Sequence, residues 1–138
     1  MAMSDAEKQA LKETMAERAK ARKKMSPEQL EQEVLDKIAA MAPADRSLGE
    51  KVHALVKKVT PGLQAKTWYG MQAYCDAAGK TVVFFQDAGK FKARYSTLGF
   101  QDAANLDDTE MWPTSFAVIG WNAAVEKQIT ELVKRAVS

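Results

Sequence analysis

The residues best suited to hold a ligand lie in one short stretch. Trp68, Tyr69 and Met71 flank Gly70, and Lys66 precedes them. Aromatic and thioether side chains can wall an apolar pocket, and a glycine lets a ligand come close to the backbone. Lys92, Arg94 and Trp112 are candidates to complete this groove, the two cations as anion contacts. The bland alternative is that the rings are core. A buried Trp removes about 150–250 Å² from water, roughly 4–6 kcal/mol at 25 cal/mol per Å² as an upper bound.

A second set comprises Asp102, Asp107, Asp108 and Glu110, hard oxygen ligands of the kind iron, magnesium or calcium accept. They lack the Asp-x-Asp-x-Asp-Gly order of a calcium loop, so capping and pairing with Lys92 and Arg94 compete with a metal site. His53 has no neighbouring His or Cys and reads as an exposed or half-buried helix residue. Cys75 has no local cation or His to activate it and reads as an inert buried thiol. No nucleophile elbow, phosphate loop or zinc motif occurs, and no catalytic residue is assigned.

These residues need a frame, and the aromatic residues show where it lies. All eleven (five Phe, three Trp, three Tyr) fall between Trp68 and Trp121. Within that span, Lys66 to Cys75 is rich in strand formers but interrupted by Gly70, which predicts a bulge or a close backbone approach. Thr81–Phe85 is apolar without alternation, as in a central strand covered on both faces. Phe91, Ala93 and Tyr95 alternate with Lys92, Arg94 and Ser96, a third strand. Turns at 76–79 and 87–90 join the three into an antiparallel meander. Residues 115–119 read as a further strand, at an edge because Pro113 guards its start.

Helices flank this sheet in the sequence. Ser26-Pro27-Glu28-Gln29 is a capping-box start, followed by a stripe of Leu30, Val34, Leu35, Ile38 and Met41. The opposite face, with Glu28, Glu33 and Asp36, reads as solvated. A second helix runs from Pro43 to Thr60-Pro61-Gly62 with Leu48, Val52, Leu55, Val56 and Val59 on one side. Asn122 caps a last helix carrying Val125, Ile129, Leu132, Val133 and Ala136. The expected fold class is α+β: an antiparallel sheet of four or five strands, two N-terminal helices and a C-terminal helix packed on it.

Length and charge set the remaining bounds. The 138 residues make one domain. One cysteine excludes an internal disulfide and fits a reducing, cytoplasmic location. The first residues lack the apolar core of a secretory signal and no apolar run is long enough to cross a bilayer, so an unexported, soluble chain is expected. The net charge of +2 is uneven: residues 1–25 carry seven Lys/Arg against four Asp/Glu, and the rest is near neutral. A nucleic-acid partner is therefore not expected. The chain divides into a basic arm, 1–25, read as a frayed helix or a disordered segment, and a domain, 26–138. In the arm, Leu11, Met15 and Ala19 form a thin stripe and Lys20 to Lys24 a cationic run.

Lys66-Thr67-Trp68-Tyr69-Gly70-Met71, Lys80 to Phe85, Lys90 to Tyr95, Thr97 to Phe100 and Met111-Trp112-Pro113, in that order, resemble the YdhG-like family of small bacterial domains over residues 28–137. The resemblance implies an α+β fold with an antiparallel sheet and packed helices. One branch of that family is described as a frataxin-like iron chaperone for iron–sulfur cluster and haem assembly, so iron delivery through surface carboxylates is one expectation. The chain departs from its relatives at Gln72, where they typically carry proline. The first expectation is a small, non-catalytic intracellular binding domain using the groove near Trp68 to Met71 and the 101–113 loop. A third is a protein-interaction module that docks through the basic arm.

Overall fold

The computed structural model describes residues 4–21 and 25–138. Four helices and five strands follow in the order α1 (Asp5–Ala21), α2 (Pro27–Ala39), α3 (Pro43–Val59), β1 (Gln64–Trp68), β2 (Met71–Cys75), β3 (Thr81–Gln86), β4 (Ser96–Phe100), β5 (Ser115–Val118) and α4 (Ala123–Ala136). The sheet is an antiparallel meander in the order β1-β2-β3-β4-β5, with Thr81–Phe85 in its central strand. This is the α+β class read from the sequence.

The helix boundaries follow from their caps. Ser26 and Gln29 form a reciprocal capping box at the start of α2, with Pro27 in the first turn. Asn122 accepts from the Val125 amide at 2.9 Å to start α4. Helices α2, α3 and α4 bury residues of the stripe their periodicity marks: Val34 and Ile38 of α2, Val52 and Val56 of α3, Ile129 and Val133 of α4. Leu35, expected in the α2 stripe, stands exposed instead.

Register explains which sheet face these stripes meet. Ala65 pairs with Tyr74, Tyr74 with Val83 and Val83 with Phe100, one row of side chains on the core face. A second row runs Thr67, Gln72, Phe85, Leu98 and Phe116. Alternation sends Trp68, Met71, Ala73 and Phe84 to the other face. Phe85 and Leu98 are fully buried and cross-strand partners, and burying each stabilises by about 1.5–3 kcal/mol.

Two sequence expectations change here. Lys66 to Cys75 is a hairpin, not one bulged strand: Trp68 pairs with Met71 and the chain reverses through Tyr69 and Gly70, at φ 50° and 76°. Positive φ at both central residues is the hairpin geometry that matches strand twist. The third strand begins at Ser96, not Phe91; residues 87–95 form a loop in which Lys92 takes φ 52°, outside strand geometry.

β2 is paired on both sides, and Gln72 faces Thr67 on one and Phe85 on the other. A proline there would remove a ladder donor from an interior strand.

Residues 5–21 of the basic arm are an α-helix. Thr14 is buried on it, while Leu11 and Met15 of the anticipated stripe are 49% and 63% exposed. Among its described side chains, those of residues 5–15, α1 therefore docks through small and polar residues. Arg22, Lys23 and Lys24 of the cationic run lie outside the described residues.

Candidate functional site

The hairpin turn at Tyr69-Gly70 brings together three elements distant in sequence. Lys37, in the last turn of α2, and Lys90, in the loop after β3, both place their ammonium groups on Oε2 of Glu13 from α1. The Lys37 contact is 2.6 Å. Lys90 also donates to the Gly70 carbonyl at 3.0 Å. The other carboxylate oxygen of Glu13 accepts from Gln9 Nε2 at 3.1 Å.

Gly70 is essential to this arrangement. A Cβ there would overlap the Glu13 carboxylate and crowd the Lys90 ammonium, and its φ of 76° already disfavours a side chain. Glu13 and Lys90 side chains are only 16% and 18% exposed, so the pair is largely withdrawn from water. Burial pushes the Glu13 carboxyl up, but hydrogen bonds from Lys37, Lys90 and Gln9 outweigh it and hold the group below its ordinary range.

The neighbouring wall is aromatic. Trp68 meets Tyr69 edge-on at 4.9 Å between centroids and packs against Phe84 at 5.2 Å. Trp68 is half-buried, Tyr69 exposed and Met71 buried. The turn thus offers two convergent cations and an accessible ring beside a backbone position that admits a carboxylate.

The other residues singled out in the sequence are dispersed. Lys66 reaches away from Gly70, donating to the Gly79 carbonyl at 3.2 Å. Lys92 is exposed, and Arg94 lies over the Tyr95 ring at 5.2 Å. Arg94 and Tyr95 line, with Lys51 and Trp121, a separate opening of about 300 Å³. Trp112 packs half-buried on the core in the loop that follows β4. That loop leaves the sheet at the end opposite Tyr69-Gly70, so Trp68 and Trp112 do not share one groove.

Asp102, Asp107, Asp108 and Glu110 are all exposed. Among the described residues, no three His, Cys, Asp or Glu side chains gather to hold a metal ion. Cys75 is buried and donates to the Gln64 carbonyl at 3.4 Å. Burial raises its thiol, with Lys66 opposing and Asp76 reinforcing, so little thiolate is present.

His53 differs most from its sequence reading. It is buried, where the sequence reads it as exposed or half-buried, with Nε2 at 3.0 Å from Glu31 Oε2 and Nδ1 at 2.8 Å from the Tyr74 hydroxyl. Gln72 Nε2 donates to the same hydroxyl at 3.0 Å and to the Gly49 carbonyl at 3.1 Å. Lys57 closes the chain on Glu31 at 3.1 Å. A carboxylate, an imidazole and a hydroxyl in a row resemble a catalytic relay. Here, however, Tyr74 is fully buried, and burial drives its phenol well above the ordinary range. Both imidazole nitrogens are engaged, so the cluster joins α2, α3 and β2. Its partners lie 22 and 21 residues from His53, beyond the reach of local motifs.

The comparisons with known proteins find nothing similar: no family model, no curated protein and no solved structure matches the chain. Among the described residues no helix is long and apolar enough to cross a membrane.

Proposed function

We propose that this chain is a non-catalytic binding domain whose site at the Tyr69-Gly70 turn takes a carboxylate carried on an apolar or aromatic body. In this reading Glu13 is an internal occupant of that site. The observation that carries it is the meeting of Lys37 and Lys90, from two separate elements, on one carboxylate set against Gly70. Converging charge-assisted hydrogen bonds are the usual means of holding such a group. Tyr69 and Trp68 supply a surface for the body attached to it.

A tethered occupant acts as a ligand at an effective concentration in the millimolar range, so an external carboxylate must outcompete it. Full-length Glu13→Ala, titrated calorimetrically with phenylacetate, is the direct test. Binding should be at least about tenfold tighter than to the unaltered chain, a difference of about 1.4 kcal/mol. Adding Lys90→Ala should abolish the gain. Equal, negligible binding by Glu13→Ala and the unaltered chain would overturn the reading.

A further inference from the structure

The outer edge of the sheet carries an independent signal. Residues 111–125 contain no Asp, Glu, Lys, Arg or His, in a chain that is 28% charged. β5, the last strand in the sheet order, lies within this run. Ile119, just beyond β5, is 85% exposed, and Met111 is 86% exposed. Edge strands of monomeric proteins are ordinarily protected by charges, bulges or a covering element, because their unpaired amides and carbonyls recruit other strands. Here Pro113 guards only the approach to the strand.

The ladder shows which groups the edge presents. Phe100 N donates to Thr114 O at 2.8 Å, so Thr114 turns its polar groups toward β4. By alternation Phe116 and Val118 do the same, and Ser115, Ala117 and Ile119 direct theirs outward. Beside the strand, an opening of about 300 Å³ between β5 and α4, lined by Phe116, Val125, Ile129 and Leu132, extends the apolar surface.

We propose that this edge pairs with a second copy of the chain, the two β5 strands running antiparallel about a two-fold axis at Ala117 to form one continuous ten-stranded sheet. In this register Ala117 faces its own copy and Ser115 faces Ile119, which places every outward amide opposite an outward carbonyl. The absence of charge along residues 111–125 makes the strand compatible with its own copy. A two-fold interface sets each patch against itself, so an edge with charges of one sign would repel its copy, whereas a neutral one does not. The small side chain of Ala117 also fits on the axis, where a large one would meet its own image.

Sedimentation of the full chain should show a species of twice 15.2 kDa that dissociates on dilution. Ala117→Asp, which sets two carboxylates face to face, should raise the dissociation constant by roughly a hundredfold or more. Ala117→Cys gives a positive test independent of stability. Directly paired residues in this hydrogen-bonded geometry have Cα atoms about 5.5 Å apart and Cβ atoms at a similar distance, too far for an unstrained disulfide but well within the span of a short thiol cross-linker. A short bismaleimide should therefore link the chains through position 117, while Lys80→Cys, in the β2–β3 turn, should not. A chain that stays monomeric up to about 1 mM, the weak end of the affinity scale, overturns the proposal. So does a dimer that survives Ala117→Asp, or one that Ala117→Cys fails to cross-link.

Discussion

The amide of Gln72 occupies the space that a side chain at Gly49 would need. Gln72 Nε2 donates to the Gly49 carbonyl at 3.1 Å, and a Cβ at Gly49 would fall 2.9 Å from Gln72 Oε1. Met41 Sδ would be 3.2 Å away on another side. In an open helix, replacing glycine with alanine stabilises by about 1 kcal/mol. In α3 the sign should reverse, because Gln72 can retreat only by giving up its bonds to Gly49 or Tyr74. Gly49→Ala should therefore lose about 1–2 kcal/mol in urea unfolding, the size expected of overpacking a filled site. A gain in stability would show that the amide moves aside without penalty.

Acid unfolding should report the two carboxylates whose pKa values are lowered. Burial raises both, but Lys37 and Lys90 bonds to Glu13, and Lys57 and His53 bonds to Glu31, more than offset it. A depressed folded pKa gives stability that is present above the unfolded value, about 4.3 for Glu, and is lost as pH falls through the folded value. Asp87 runs the other way. Burial raises its pKa against backbone hydrogen bonds and Lys90, so its contribution is present below about 3.9 and is lost as pH rises through the folded value. Urea midpoints from pH 3 to 6 should accordingly flatten in Glu13→Gln and Glu31→Gln. Asp87→Asn should gain stability at the upper end of that range.

The sequence disclosed the meander, its central strand and the helix caps because each has a local chemical cause. Ser26 and Asn122 cap helices wherever they precede an apolar stripe, and Thr81–Phe85 can be covered on both faces only inside a sheet. Tyr69-Gly70 hid a hairpin because an aromatic residue, not the usual Asn or Asp, takes its first left-handed position. The alternation from Phe91 to Tyr95 misled for the opposite reason: period two occurs there without a partner strand. Glu13 and His53 were illegible because their partners come from other elements, and Glu13 lies on a helix whose docking face lacks large apolar residues.

Docking of α1 gives the next prediction. Gly70→Ala should expel the Glu13 carboxylate and strain a left-handed backbone position by about 1–2 kcal/mol. The buried rows of the sheet lie elsewhere and should persist. Hydrogen exchange should therefore accelerate in residues 5–21 while the β3 amides keep their protection. Unchanged exchange in α1 would mean that its docking does not depend on the Glu13 contacts.

The Tyr74 hydroxyl joins β2 to α3, and deleting it separates two kinds of energy. In Tyr74→Phe, Gln72 keeps its bond to Gly49, but His53 Nδ1 loses its partner inside the fold. Leaving a buried polar group unpaired costs about 1–3 kcal/mol, whereas replacing both partners by apolar groups of similar shape is close to neutral. His53→Leu removes the orphan, and Glu31 still has Lys57. The double variant Tyr74→Phe/His53→Leu should thus be more stable than the sum of the single losses implies, with a coupling of about 0.5–3 kcal/mol in chemical denaturation. Strict additivity would place His53 and Tyr74 out of hydrogen-bonding contact and remove the link between α3 and the sheet.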